Sequence, residues 1–293
     1  MAAVGRSFGE RVFDFLVYIL LGLLILTTLY PFYYVSIVSI SDGMDVLQGK
    51  VTVWPSNPTL ASYEIMFNDR FLLRSVLNSV LYTTLGTSIS IFFTALIAYP
   101  VSKKRLPFRN FFITLVVVTM FFEGGIIPSF LLVMSLGLLN TIWAIVLPQA
   151  VYAFYLIIMK TFFQGIPDSL EESALIDGAN DIQIFIRIYV PLSKAIVATL
   201  TIFYAVRHWN QFFLPMIYLH DKIKFPVQVL LRNLVIVGEM LNLPEATGVA
   251  DPMIVHVTLK YAVIMVSALP IIMVYPFFQK YFVKGALIGS IKG

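Results

Sequence analysis

Two short stretches of this apolar chain hold residues whose types and spacing could do chemistry. The first, residues 171–191, reads EESALIDGANDIQIFIRIYVP and combines paired acids with small residues and a central glycine. The second, residues 207–210, reads RHWN and sets a cation, an imidazole, an indole and an amide side by side. Acids and small residues on a short helix suit contact with another protein, whereas a cation beside an aromatic ring suits an acidic or hydroxylated ligand.

The rest of the chain does not favour catalytic chemistry. The sequence contains no cysteine, and its histidines at 208, 220 and 256 lack metal-ligand spacing. It has neither an H-E-x-x-H pattern nor a glycine-rich lysine loop of the kind that holds ATP. We therefore predict a non-enzymatic protein with no catalytic residues, no metal site and no cofactor of its own.

Composition predicts that the chain lies in a membrane. Of its 293 residues, 59% are hydrophobic and only 12% are charged, and the mean hydropathy is +0.88. A soluble domain has about a quarter of its residues charged, so most of this surface must face the lipid bilayer. The net charge of +4 is then a signal of membrane topology rather than of nucleic-acid binding.

Long apolar segments predict an all-α, polytopic membrane protein with a single domain, residues 1–293. A bilayer core is crossed by about 20 apolar residues. The chain has six segments that meet this requirement, at about 15–40, 75–102, 110–134, 141–159, 195–219 and 252–278. Two longer connections lie between these spans, at 160–194 and at 220–251.

The distribution of lysine and arginine predicts the orientation. Segments on the side of the N-terminus carry twelve of these residues, and segments on the opposite side carry six. Cytoplasmic connections of membrane proteins are enriched in lysine and arginine. Both termini and the connection at 160–194 are therefore expected in the cytoplasm, and the loop at 220–251 is expected outside.

Two short helices are predicted within the cytoplasmic connection. Asp168 and Glu171 have the spacing of a capping box for the first helix, and Gly178 is placed to end it in a left-handed turn. Leu170, Ala174 and Gly178 recur every four residues, which gives this helix a stripe of small residues. A plain connection that binds nothing is the alternative, but an approachable surface of small residues favours the docking of another protein.

The second helix is expected to be capped by Asn180 or Asp181. Its apolar residues recur on one face, as in a helix that lies on a membrane. That face is expected to anchor the helix at the inner membrane surface and consists of Ile184, Phe185, Ile188 and Leu192.

The same connection resembles the cytoplasmic signature of ABC-importer permeases, E-A-A-x3-G-x9-I-x-L-P. Here the signature reads, at the full spacing and with serine and valine as conservative departures, Glu172-Ser173-Ala174, Gly178, Ile188, Val190 and Pro191. The resemblance implies the type I ABC importer permease fold and makes the first helix a coupling helix seated in an ATPase subunit. The residues implied in coupling are Glu171, Glu172, Ser173, Ala174, Asp177, Gly178 and Ala179, and the motif is supported by Ile188 and Pro191.

Three further segments resemble the carbohydrate branch of this family, the maltose-transporter-type permeases. They are 119–148, 160–179 and 204–219, and the likeness points to importers of complex oligosaccharides, with the alginate importer as one candidate. It implies a subunit of the bacterial inner membrane that forms half of a translocation pathway for an oligosaccharide. The implied partners are a second homologous permease, two ATPase subunits that bind ATP and magnesium, and an extracytoplasmic sugar-binding protein.

Polar residues at membrane depth are candidates for the sugar path, because such groups usually face a cavity or one another. They are Glu123, Tyr155, Arg207, His208, Trp209 and Asn210. In this hypothesis Arg207 or His208 meets an acidic or hydroxylated sugar, and Trp209 stacks on its ring. The alternatives are an ion pair between Arg207 and Glu123, or side chains that snorkel to the membrane surface.

The loop at 220–251 and the C-terminal tail are the remaining candidate contacts. The loop contains PVQVLLRNLVIVG, which is apolar on one face and predicts an interfacial helix. By resemblance, the tail KYFVKGALIGSIKG enters the ATPase interface. By the same resemblance, the loop reaches the binding protein through Asn242, Glu245 and Gly248.

The competing class of protein is a secondary solute transporter or a channel subunit. Such proteins carry chains of intramembrane acids or interrupted helices around an ion site. Glu123 alone is thin support for a site of that kind.

Overall fold

The computed structural model describes residues 8–237, 257–274 and 276, and this part of the chain contains helices, turns and connections but no β-strand. The prediction of an all-α protein is confirmed. The helices are, in chain order, α1 Phe8–Ser39, α2 Gly43–Leu47, α3 Ala61–Asn68, α4 Arg70–Ser102, α5 Arg109–Phe121, α6 Ile126–Ser135, α7 Trp143–Val146, α8 Ala153–Gln164, α9 Asp168–Ile176, α10 Asp181–Ile184, α11 Val190–Leu192, α12 Lys194–Trp209, α13 Phe213–Tyr218, α14 Val227–Arg232 and α15 Val257–Val274.

Three of the described helices, α1, α4 and α15, are long and apolar enough to cross a membrane by themselves. α1 has 32 residues and α4 has 33, so at about 1.5 Å per residue each exceeds a hydrocarbon core of about 30 Å. These two helices account for nearly all of the predicted spans at 15–40 and 75–102. α15 lies within the predicted span at 252–278.

The remaining candidates for spans are bent pairs of helices. α5 meets α6 at 114°, and the segment Trp143–Gln149, formed by α7 and a 3₁₀ turn, meets α8 at 51°. The third pair does not match the predicted span at 195–219. In this pair α12 meets the segment that precedes it, Asp181–Leu192, at 81°. The described residues therefore contain three long spans, or up to six if each bent pair crosses once. The count of six stays a prediction.

Glycine and proline explain why two of the predicted spans are not continuous helices. Gly125, the residue directly before α6, has φ +80° and ψ 168°, a conformation that glycine adopts without strain and that a continuous helix does not contain. α12 stops at Trp209, well before the predicted end of its span at Leu219. Pro215 has no N–H for a helical bond, and in a continuous helix its ring would meet the carbonyl of Gln211.

The described residues fall into two compact units, and the single domain over residues 1–293 stays a prediction. The first unit comprises residues 8–69 and 257–267 of the described chain. In it the rings of Tyr34 and Tyr261 meet edge-on, with 6.4 Å between their centroids. The end of α1 thus packs against the start of α15.

In the second unit, α4 lies at the centre and packs against α8 and α12. Small residues on a helix face let membrane helices approach each other closely. The hydroxyl oxygens of Thr94 on α4 and Tyr204 on α12 accordingly lie 2.7 Å apart. The buried face of α4 includes Ser75, Ser79, Gly86, Thr87, Ser90, Thr94, Ala95 and Ala98.

Candidate functional site

The first candidate stretch folds as a pair of short helical arms, residues 168–191, called the hairpin below. α9 forms its first arm. The second arm runs from α10 through a π-helical turn, Phe185–Tyr189, into α11. The hairpin follows α8 directly and leads into α12, so it connects two helices that pack on α4.

The first arm begins without the predicted capping box. Pro167 occupies the N-cap position and its side chain makes no capping hydrogen bond, while Asp168 lies within the helix. Glu171 turns away from the helix start and is only 7% exposed. Its carboxylate is not available to cap the helix because it binds cations from elsewhere in the chain.

The turn between the arms is a left-handed glycine turn, as predicted. Gly178 has φ +79°, and its N–H donates to the carbonyl of Leu175 at 3.0 Å. The N–H of Ala179 donates to the carbonyl of Ala174 at 2.9 Å. This pair of bonds is a Schellman motif, which satisfies carbonyls that the end of a helix otherwise leaves without partners.

Replacing Gly178 by leucine is expected to destabilise the hairpin by about 1–2 kcal/mol, because a Cβ in left-handed backbone crowds its own carbonyl. An added Cβ would meet no neighbouring atom within 4 Å, so backbone strain is the cause. The measurement is the rate of limited proteolysis within 168–191 in detergent. Gly178→Asn is the matched control, since asparagine tolerates this conformation. A leucine variant as resistant as the unaltered protein would contradict the prediction.

The second arm begins at a capping box, and of the two predicted caps Asn180 is the one used. Its Oδ1 accepts a hydrogen bond from the N–H of Gln183 at 2.9 Å. In return its own N–H donates to Oε1 of Gln183 at 3.0 Å. Two N–H groups at the helix start are thereby satisfied by one pair of side chains.

The apolar face of the second arm packs inside the protein, not on the membrane surface as predicted. Ile184 is fully buried, and Phe185 and Ile188 are partly buried against the same core, which includes Ala98 of α4. Of the four predicted residues, Leu192 alone is mostly exposed, at 52%. The apolar face of the second arm packs against apolar side chains of α4 and α8, so the protein itself buries this face and lipid is not needed to cover it.

A group of four residues, called the buried ion cluster below, joins the hairpin to the segment that follows α4. Lys103 Nζ donates to the carboxylate of Glu171 and to the hydroxyl of Tyr189. Arg105 Nη2 lies 3.1 Å from Glu171 Oε1, and the Tyr189 hydroxyl donates to Glu171 Oε2 at 3.1 Å. The cluster consists of Lys103, Arg105, Glu171 and Tyr189.

Of the residues that the resemblance implies in coupling, some are buried or partly buried and the others are exposed. Glu171 belongs to the buried ion cluster, so it anchors the first arm rather than presenting a charge outward. Ala174 and Ala179 pack partly against the core, as does Ile188 of the supporting motif, whereas Pro191 is exposed. The exposed members are Glu172, Ser173, Asp177 and Gly178.

Ile176 is a surface residue of the hairpin that the sequence reasoning missed. It is 87% exposed at the end of α9, and its neighbour Leu175 is 42% exposed. Ile176 lies off the small-residue stripe of the first arm, so the periodicity did not select it. The available signal was a large apolar residue directly before the Asp177-Gly178 turn.

In the second candidate stretch, Arg207 lies over an aromatic ring. Its Cζ is 4.3 Å from the centroid of Tyr152, and the side chain is exposed. The Tyr152 ring contacts that of Tyr155, and Tyr155 contacts Tyr204, each with 4.9 Å between centroids. A guanidinium beside several ring faces suits a hydroxylated or acidic ligand. Tyr152 was missed, although the run VYAFY at 151–155 carried the signal.

The other members of the second stretch face inward or lie at the helix end. His208 and Trp209 are 4% and 5% exposed, so neither offers its ring to a ligand here. His208 Nε2 lies 3.1 Å from Ser90 Oγ, and the imidazole fills the space beside Gly86. Asn210 is exposed where α12 ends.

Glu123 does not pair with Arg207, so the ion pair weighed from the sequence is wrong. Glu123 is exposed in the break between α5 and α6. Across residues 8–237, 257–274 and 276, no ion pair joins these two side chains. Both remain accessible to a ligand.

The described part of the loop at 220–251 packs on the protein. The N–H at the start of α14, from Val227, donates to Ser79 Oγ of α4 at 2.8 Å. The helix is therefore internal, and the prediction of an interfacial one is wrong for this segment. Its buried residues are Val227, Val229 and Leu230.

Several predicted contacts lie outside the described residues. These are the tail from 280 to 293 and the candidate binding-protein contacts Asn242, Glu245 and Gly248.

Both the sequence and the fold match known proteins. The family described as binding-protein-dependent transport system inner membrane component matches residues 86–288. The polygalacturonan/rhamnogalacturonan transport system permease protein YtcP of Bacillus subtilis (strain 168) is 45% identical over 286 residues, covering 97% of this chain and 99% of its own. A chain from the crystal structure of a bacterial ABC transporter involved in the import of the acidic polysaccharide alginate has a TM-score of 0.89 at 35% identity, covering 96% of this chain and 100% of that one.

Proposed function

The chain belongs to the family of binding-protein-dependent transport system inner membrane components, and from this premise we propose that its hairpin receives the motion of partner ATPase subunits. The fold is that of a type I ABC importer permease, as predicted. The chain is a permease of a sugar or polysaccharide ABC importer. The alternative of a secondary solute transporter or channel subunit is therefore wrong.

The observation that carries the proposal is an arm that is anchored through Glu171 and has an exposed apolar tip. Ile176 and Leu175 project from the end of α9 next to the exposed Glu172. The same arm is fixed to the rest of the protein through Glu171. Apolar side chains that a structured tip leaves exposed are the kind that a protein partner buries.

The rest of the importer is proposed from the same family membership. Both termini and the hairpin lie in the cytoplasm, a second homologous permease completes the pathway, and a sugar-binding protein delivers the substrate from outside. Two ATPase subunits bind ATP and magnesium. Closure of the ATPase pair moves the coupling helix as a rigid body, and the membrane helices then switch between inward-open and outward-open arrangements.

An acidic oligosaccharide is the proposed substrate. Polygalacturonan and alginate, the polysaccharides in the names of the two similar proteins, both carry carboxylates. Arg207 supplies a cation that binds a carboxylate through paired hydrogen bonds, and Tyr152 and Tyr155 supply ring faces beside it. Glu123 and Asn210 stay candidates for the same path because both are exposed.

Ile176→Glu is expected to lower the yield of ATPase subunits that copurify with the permease by at least about tenfold, because a charge replaces a side chain that the partner buries. Uptake into proteoliposomes is expected to fall with it. Copurification from detergent, normalised to the amount of permease, is the measurement. Ile176→Met is the matched control and is expected to retain the partner. Full copurification and uptake with Ile176→Glu would contradict the proposal.

A further inference from the structure

We infer that the buried ion cluster is a positioning strut, which fixes the hairpin to the end of α4 so that motion of the coupling helix is transmitted to α4. The inference rests on the proposed coupling function of the hairpin. It gives Lys103 and Glu171 a role in coupling that requires no contact with the ATPase or the sugar.

Three of the four members of the cluster are buried, and the fourth, Arg105, is exposed at its edge. Lys103, Glu171 and Tyr189 are 9%, 7% and 1% exposed. Besides its two hydrogen bonds, Lys103 Nζ lies 3.8 Å from the centroid of the Tyr189 ring and 4.8 Å from that of Tyr99. A buried cation held by a carboxylate, a hydroxyl and two ring faces is confined to one position, because a low dielectric strengthens each of these interactions.

Arg105 connects the two arms of the hairpin to each other. Its guanidinium lies 3.1 Å from Glu171 Oε1 on the first arm. The same guanidinium donates to Asp181 Oδ1 on the second arm. Both arms are thus attached to the segment 103–105, and the turn between them does not have to transmit force.

α4 extends this attachment toward the second candidate stretch. The helix ends at Ser102, directly before Lys103. About two helical turns earlier, Thr94 Oγ1 lies 2.7 Å from the hydroxyl oxygen of Tyr204. That oxygen accepts a hydrogen bond from the N–H of Tyr152 at 3.0 Å. If the hairpin moves, the displacement of Glu171 would therefore pass through Lys103 to α4 and from α4 to Tyr152, the residue over which Arg207 lies.

Stability alone does not account for the cluster. Replacing a buried ion pair by apolar groups of similar volume often leaves stability unchanged or improved, whereas hydrogen-bonded charges specify one geometry. A neighbouring pair provides the comparison: Lys104 and Asp168 are 4.0 Å apart, with side chains 89% and 76% exposed. Because that pair is solvated, it should contribute little to coupling.

The test is the amount of sugar transported per ATP hydrolysed by the complete importer in proteoliposomes, with ATPase copurification measured in parallel. Glu171→Gln and Lys103→Met are each expected to lower this ratio by at least about tenfold while the ATPase subunits stay bound. Lys104→Met and Asp168→Asn are the matched controls and are expected to leave it unchanged. The apolar double variant Lys103→Met/Glu171→Leu is expected to assemble normally and still to transport less sugar per ATP hydrolysed. That result would show that the fixed geometry of the cluster, and not its contribution to stability, is what coupling requires.

A normal ratio in the assembled Glu171→Gln or double variant would overturn the inference. Loss of the ATPase in Glu171→Gln as severe as in Ile176→Glu would also overturn it, because the cluster would then serve docking. Failure of the proposed function is distinguishable: the ATPase would stay bound to Ile176→Glu whatever the cluster variants do.

Discussion

Gly86→Val is expected to prevent correct packing of the second unit and to abolish transport. A Cβ at this position would lie 2.8–2.9 Å from three atoms of the His208 ring. The ring is almost fully buried and bonded to Ser90, so it has no vacant space to enter. Overpacking of a core costs about 1–3 kcal/mol and occasionally more, a large part of the net stability of a fold. The fraction of monodisperse protein after detergent extraction measures the effect.

Two variants show whether the cause is the contact between Gly86 and His208. Gly22→Val is the matched control, since a Cβ at Gly22 in α1 would meet nothing within 4 Å. The double variant Gly86→Val/His208→Ala is expected to recover monodisperse protein, because the opposing ring is gone. If Gly86→Val behaves as the unaltered protein does, close approach of α4 and α12 at this point is not required.

Arg207→Gln is expected to lower uptake of an acidic oligosaccharide by at least about tenfold, the loss typical of a hydrogen bond to a charged group. Arg207 is exposed over Tyr152 and has no ion-pair partner among the described residues. A carboxylate on the sugar would supply an ion-pair partner for Arg207. The measurement is uptake of oligogalacturonate by the complete importer in proteoliposomes, compared with its neutral methyl ester.

The comparison between the two sugars decides the role of Arg207. Uptake of the methyl ester is expected to change little, and Arg207→Lys is expected to be intermediate because it keeps the charge but not the planar pair of donors. Equal losses with both sugars would assign Arg207 to the packing of α12. Unchanged uptake of the acidic sugar would remove it from the substrate path.

Local sequence rules predicted those parts of the hairpin that depend on neighbouring residues. Gly178 and Asn180 act on groups within a few positions of themselves, so their spacing is enough to predict the turn and the second cap. The first cap was predicted wrongly because Glu171 is bound by Lys103, which lies 68 residues away. No local pattern contains a partner at that separation.

Apolar length predicted the membrane helices but not their interruptions. Hydropathy is averaged over about 19 residues, so it does not register the breaks near Gly125 and Pro215. For the second stretch, adjacent residues on a helix point about 100° apart, so Arg207 and His208 cannot share one environment. The sequence does not reveal which of them faces inward, because that depends on whether Gly86 leaves room for a ring.

The π-helical turn Phe185–Tyr189 is wider than an α-helical turn and holds one extra residue. Because the turn takes up this residue, side chains five positions apart can face the same way, whereas an α-helix would place them about 140° apart. Ile184 and Tyr189 accordingly enter the same core, and the hydroxyl of Tyr189 reaches Glu171. A search for the α-helical period of about 3.6 residues would assign these two side chains to different faces, so the wide turn is what allows one short arm to bury an apolar anchor and to complete an ionic contact.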